Sequence, residues 1–255
     1  MTMRTLSAAV TAAMIMGLAG CRGGGEYVPQ AVETVTPAKI APGQEATLFP
    51  VAEGNQWVYS LQFQAQAQGE PVNQEDTVTF TMRNVANEPN GARRFVIEIS
   101  RRDAPTQRQT WRVSPRGIFV IQQPAGEEAA QVAFNPPQIV MPFPVENDRE
   151  FTWEGVGALP AGGVSGRSRI SGRIVGVQEF DTDARRMSGV CVETIQQWTI
   201  RQPAAGGQPA QDIRGMAASS IWFVPNVGIA RYRQELAFGN TVAVTVLRLK
   251  SHTVN

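Results

Sequence analysis

The chain reads as an all-β protein: a single large antiparallel domain whose curved sheet forms a half-barrel or a sandwich, with few or no helices. Three observations predict this. First, long stretches alternate apolar and polar residues, as in Trp57-Val58-Tyr59-Ser60-Leu61-Gln62-Phe63. Successive side chains of a strand point to opposite faces, so this period marks a strand with one buried face. Second, such stretches recur at short intervals, separated by Gly, Pro and Asn turn signals. Third, 255 residues with 42% hydrophobic and 18% charged side chains suit a folded chain. A domain of this size buries enough surface to need neither disulfide nor metal.

In order, residues 1–20 form a leader, 21–45 a tether and 46–255 the β domain. Met1 to Thr5 carries one basic residue, Arg4, and Leu6 to Ala19 is an almost uncharged apolar run. It has the length of a signal-peptide core and is too short for a spanning helix of ~20 residues. At its end stand Leu18, Ala19, Gly20 and Cys21, and the small Ala19 and Gly20 suit a peptidase pocket with little room. These four residues resemble a bacterial lipobox. The resemblance implies that Leu18, Ala19 and Gly20 are read by a signal peptidase and that Cys21 is lipidated. Diacylglycerol would sit on its sulfur and an acyl chain such as palmitate on its new amine. The membrane is then a partner through that lipid, because attachment by more than one chain is stable. By the sorting rule of enteric-type bacteria, an Asp after the cysteine implies retention in the inner membrane. Arg22 stands there instead, which favours the outer membrane of the cell envelope.

Residues 22–46 are rich in Gly, Pro, Ala and Val and carry neither a helical stripe nor a clean alternation. They are expected to be a flexible spacer, or to add Val28 to Ile40 as an edge strand. The domain then opens with the strand around Trp57 to Ala67. Asp76 to Val85 alternates next, with Val78, Phe80 and Met82 on one face, and Asn90-Gly91 is a turn dipeptide. Phe95, Ile97 and Ile99 mark another strand, and Trp111 and Val113 one more. Ser114 to Gly117 is a tight turn before Ile118 to Ile121. Glu127 to Ala133 is the one helical candidate, and Pro136-Pro137 then interrupts the chain.

The second half opens as the first does. Phe143-Pro144-Val145 precedes Phe151 and Trp153, as Phe49-Pro50-Val51 precedes Trp57. Arg169 to Phe180 is a strand in which Gly172 and Gly176 suggest a bulge or bend. Gly189 to Ile200 is the next strand, and Gln202 to Gln211 a loop. Ile221 to Val224, Pro225-Asn226-Val227-Gly228 and Ile229 to Leu236 form a hairpin. Gly239-Asn240 turns into Thr241 to Leu249.

Leu48-Phe49-Pro50-Val51 with Gly54, Trp57 and Tyr59, together with Trp222 to Ala230, resemble secreted bacterial β domains grouped as TapB-like. That resemblance implies a strongly curved antiparallel sheet and no established activity. A more distant analogy is the half-barrel of bacterial lipoprotein carriers, whose plugging helices have no counterpart in this sequence.

Little in the domain points to chemistry. The single histidine, His252, lies three residues from the end, which leaves no basis for His-based metal sites or Ser-His and Cys-His catalysis. No phosphate-cradling loop or nucleophile elbow appears. No catalytic residue, metal site or cofactor is therefore assigned. Once Cys21 is lipidated, Cys191 is left as a lone thiol in an apolar strand, where it acts as a small hydrophobe. Glu179, Asp181 and Asp183 are read as a solvated turn rather than a calcium or glycosidase site. The five tryptophans all fall in predicted strands, where they fill a core or form a stacking surface for glycans. A net charge of +1 with both signs spread along the chain argues against nucleic acid as a partner.

The functional expectation is a membrane-anchored envelope lipoprotein acting as a non-enzymatic structural or interaction module, its partner an envelope protein or glycan. The alternative is a binding protein for an apolar ligand, lipid or glycan on the concave face of the sheet. Cys21→Ser is expected to release the protein from membranes, as read by fractionation. The wild-type mature N-terminus should carry the added mass of the acyl groups, and an unmodified N-terminus with unchanged membrane retention would refute lipidation.

Overall fold

The structure, a computed structural model, describes residues 40, 43–66, 71–125, 130–160, 164–202 and 210–255. The lipobox residues Leu18 to Cys21 and nearly all of the tether lie outside the described residues. The strands are β1 (Gln56–Gln66), β2 (Val72–Asn87), β3 (Arg93–Arg101), β4 (Ala104–Ser114), β5 (Gly117–Ala125) and β6 (Ala130–Pro142). They continue as β7 (Arg149–Ala158), β8 (Ser165–Asp181), β9 (Arg186–Gln202), β10 (Gln211–Val224), β11 (Gly228–Phe238) and β12 (Thr241–Thr253). Among the described residues the helical elements are two 3-10 turns, Glu45–Leu48 and Pro89–Gly91.

Each strand pairs antiparallel with the next, and β12 pairs back onto β1 from Gln56 opposite Thr253 to Gln66 opposite Val242. The result is a closed twelve-stranded barrel. This corrects the expected half-barrel or sandwich. Either of those leaves edge strands with unpaired N–H and C=O groups, and closure removes them. The all-β antiparallel class stands. The helical candidate Glu127 to Ala133 is also corrected, since its described part, from Ala130, runs into β6.

The period-two alternation sorts residues to the inside and outside of the wall. In β8 every even position from Ser168 to Phe180 is buried, and the odd positions from Arg167 to Arg173 are exposed. In β12 the neighbours of the valines face inward: Ala243 and Leu249 are buried, while Val242 is 53% exposed. Outward positions carry Gln62 and Gln64 on β1 and Arg167, Arg169 and Arg173 on β8. Among the described residues no helix is long and apolar enough to cross a membrane.

Two lead-ins and two hairpins recur six strands apart. Phe49-Pro50-Val51 leads into β1 and Phe143-Pro144-Val145 into β7. Each turns through a residue of positive φ, Gly54 at 81° and Asp148 at 57°. Each turn also closes with the same backbone bond, Asn55 N–H to the Ala52 carbonyl (3.2 Å) and Arg149 N–H to the Glu146 carbonyl (3.3 Å). Trp111-x-Val113 and Gly117-Ile118 join β4 to β5, as Trp222-x-Val224 and Gly228-Ile229 join β10 to β11. The expected irregularity in β8 is a register shift between Ile174 and Gly176, whose φ of 117° suits glycine.

The two halves meet at β6 and β7, where Asn135 pairs with Val156. Pro136 and Pro137 lie beside that point, and proline has no N–H to give to a ladder. Side chains hold the seam instead. The Trp153 indole N–H donates to the carbonyls of Pro136 (3.2 Å) and Pro137 (3.1 Å). Its ring lies over Gly155, and the Phe134 ring lies over Gly157 in the same way. A Cβ at Gly155 would come within 2.5 Å of Trp153, and one at Gly157 within 2.0 Å of Phe134.

The end where β1 begins is solid. Barrel diameter grows with strand number, and eight strands already give a lumen just filled by wall side chains. Twelve need something more, and the segment before β1 supplies it. Leu48 is fully buried, and the Phe49 ring lies 5.5–6.4 Å from those of Phe95, Trp111, Trp57 and Phe223. Those partners come from β1, β3, β4 and β10, so one side chain ties separate parts of the wall together. The β10–β11 hairpin folds onto the same plug: Trp57 donates to the Val227 carbonyl, Tyr59 OH to the Ile229 carbonyl (2.7 Å) and Asn226 N–H to the Thr47 carbonyl (2.8 Å). Asn55, fully buried, donates to the Pro50 carbonyl (3.0 Å) and accepts the N–H of Asn255 (2.9 Å).

Phe49→Ala is expected to cost about 3–5 kcal/mol, the range for emptying a buried aromatic site. Urea unfolding followed by tryptophan fluorescence measures it, and Phe49→Leu should recover a large part of the loss.

Candidate functional site

The barrel interior is packed in two clusters. The larger surrounds the Phe49 plug. The smaller gathers Phe63, Leu159, Trp198, Ala217, Leu236 and Ala243 toward the other end. Members of both line an internal cavity of about 260 Å³. All five tryptophans are less than 10% exposed, so they belong to the core rather than to an outer stacking surface, and Trp111 forms part of the cavity wall.

The lining is apolar at Leu61, Val78, Ile99, Val120, Ile221 and Leu247, with polar groups set among them. Several are already paired. Gln109 accepts from the Trp111 indole (3.0 Å), Gln196 donates to Ser168 Oγ (2.9 Å) and Gln234 donates to Ser219 Oγ (3.3 Å). Burial pushes the Tyr232 hydroxyl up to about 12, and a hydrogen bond with Ser219 pulls weakly the other way. The Tyr59 hydroxyl at the plug is also pushed up by burial.

Three lining groups are different. Gln123 and Gln138, on β5 and β6, make no side-chain hydrogen bond among the described residues, and neither does the Arg101 guanidinium at the end of β3. Arg101 pairs across from Val78, which faces inward. Burial lowers its pKa, and the charge of Asp76 opposes that shift. Among the residues lining the cavity, Arg101 is the one formal charge.

The residues assigned from sequence, Leu18, Ala19, Gly20 and Cys21, lie outside the described residues. Cys191 is fully buried in β9, and burial first, then Glu193, pushes its thiol up, away from the thiolate a nucleophile needs. Glu179 pairs with Arg186 at 3.0 Å, and the Asp183 N–H donates to the Leu249 carbonyl (3.1 Å). His252 is exposed on β12 opposite Trp57. Among the described residues no three His, Cys, Asp or Glu side chains converge as a metal site would require. Arg101 is the residue that pattern reading passes over. The signal is present: Phe95, Ile97 and Ile99 define an inward face, and the next position in that series is an arginine.

No protein-family model matches the chain, and no curated protein matches it in sequence. The TapB-like resemblance therefore has no family model behind it. Among solved structures, a candidate lipoprotein of Parabacteroides distasonis shares 13% identity, with a TM-score of 0.46 over 81% of this chain and 98% of its own. A candidate exported protein with a YmcC-like fold from Bacteroides fragilis shares 16%, with a TM-score of 0.40 over 80% and 98%. The hypothetical lipoprotein YmcC of Escherichia coli shares 9%, with a TM-score of 0.34 over 77% and 86%. These are loose likenesses of shape, and no residue's role is carried across from them.

The raised tyrosines predict a pH dependence. A hydroxyl whose folded pKa lies above its unfolded value contributes stability that is fully present below the unfolded pKa and lost as pH rises through the folded one. For Tyr232 that window runs from 10 to about 12. Across it Tyr232 should contribute a fall in unfolding free energy on the order of 1–2 kcal/mol, measured by denaturant titration, and Tyr232→Phe should remove that share while the share from Tyr59 remains.

Proposed function

We propose that this protein is a lipid-anchored component of the bacterial envelope that works without catalysis, by holding a small molecule inside its barrel. The carrying observation is the cavity: closed all round by the sheet, mostly apolar, and furnished with a few polar groups that have no partner among the described residues. Ligand sites are built in this way, concave and apolar with a small number of placed polar groups. About 260 Å³ lies just under the usual range for such sites, so the ligand is small. The lipobox resemblance at Cys21 supports an extracytoplasmic, membrane-tethered position, and Arg22 supports the outer membrane. The polar outer wall supports a domain standing in water beside that membrane.

A second reading, a structural or interaction module for an envelope protein or glycan, is favoured by a different feature. Ile195, Met216 and Val242 are exposed on the outer face of β9, β10 and β12, and apolar side chains gathered on one face mark contact surfaces.

Native mass spectrometry of the Cys21→Ser chain, purified without added lipid, separates the two. Under the ligand reading a bound small molecule should survive purification, or be accepted from a panel of small amphiphiles with a rise in melting temperature. A clean apo mass and no thermal shift from any of them would favour the module reading.

A further inference from the structure

We propose that the barrel cavity binds a singly charged anionic amphiphile, with Arg101 taking its carboxylate and the apolar walls its tail. The inference rests on the ligand-holding reading and adds the chemistry of the ligand.

It begins from an arginine in an inward register. Seven other arginines, among them Arg108, Arg173 and Arg186, have a carboxylate within 4.0 Å, and others, such as Arg112 and Arg231, have none among the described residues. Arg101, on the cavity wall, has none among the described residues. Arg101 is half-buried on that wall, and Asp76 offers it only a longer-range attraction. A carboxylate in the cavity would satisfy it, because the planar fork of donors matches two carboxylate oxygens. Gln123 and Gln138 lie on the wall that runs from β3 through β6, with amide donors free to bond the same head group. The β1, β10 and β12 wall presents Leu61, Ile221 and Leu247 to a hydrocarbon body. One cation among otherwise neutral groups balances one negative charge. A dianion would leave a charge buried without a counter-ion, and a cationic amphiphile would face Arg101 directly. The volume admits a body on the order of ten to fifteen non-hydrogen atoms, the scale of a medium-chain fatty acid.

The test titrates the Cys21→Ser full chain with decanoate, decanol and decyltrimethylammonium, read by calorimetry and by tryptophan fluorescence. Decanoate should bind best and the quaternary amine not at all. Arg101→Gln should weaken decanoate by about tenfold or more, as loss of a charge-assisted pair does, and leave decanol unchanged. Arg101→Lys should keep part of the preference, and equal melting temperatures would show that the variants fold. Thr245→Phe, filling the cavity from β12, should abolish binding of both. If decanol binds as well as decanoate, or if Arg101→Gln leaves the preference intact, the anion assignment falls while the ligand-holding reading stands. If no amphiphile binds and the native mass is clean, both fall. Decanoate binding that survives Thr245→Phe in a folded protein would place the site outside the cavity and overturn the proposal.

Discussion

The plug at Phe49 is the constraint on which the rest of the structure depends. A closed sheet of twelve strands encloses more space than its inward side chains fill. An unfilled apolar lumen loses contacts on every wall. The chain answers by sending Leu48 and Phe49 into one end before β1 starts, so that a single ring touches rings from four strands. The hydrogen bonds from Trp57 and Tyr59 to the β10–β11 hairpin fix the plug to the far side of the wall, across 170 residues of sequence. Solid packing at that end confines open space to the rest of the lumen, and so decides where a ligand can sit.

The wall is organised as two sets of six strands on one plan. Each set opens through an apolar-Pro-apolar lead-in and a positive-φ turn, and each uses a Trp-x-Val…Gly-Ile hairpin between its fourth and fifth strands. The two sets are used differently. The first lead-in enters the lumen as the plug, and the hairpin of the second half folds over it. The joins between the sets also differ. β12 and β1 pair along their length, whereas the prolines of β6 remove donors from its join with β7 and leave Trp153 and Phe134 to close it against glycines.

The interior separates what packing requires from what it does not. Cys191, the tryptophans and Tyr59 are where an apolar core wants them, and burial keeps the thiol and phenol neutral. Arg101, Gln123 and Gln138 are not required by packing. All three are half-buried on the cavity wall, where aliphatic side chains would pack as well. Among the residues lining that cavity Arg101 is the one formal charge.

The sequence by itself determined the elements and their faces. Strict alternation around Trp57 to Phe63 and in β8 reports which side chains point inward, because the period of two is a property of the local backbone. The glycine and asparagine turns were legible for the same reason: positive φ is decided within a few residues. The leader and the lipobox resemblance at Cys21 rest on a short contiguous pattern and lie outside the described residues. Only the tertiary structure decided that the sheet closes, that Phe49 plugs it and that Arg101 faces a cavity. Closure depends on the register of every strand pair taken together, and no local window contains that sum. Pro136-Pro137 read as a break because proline lacks a donor; that lack was real, but neighbouring rings offset it and the strand continued. In β12 the inward face was open between the valines and their neighbours for a related reason. A run of Val, Ala, Thr and Leu is apolar on both faces, so only pairing with β1 fixed which face was inside.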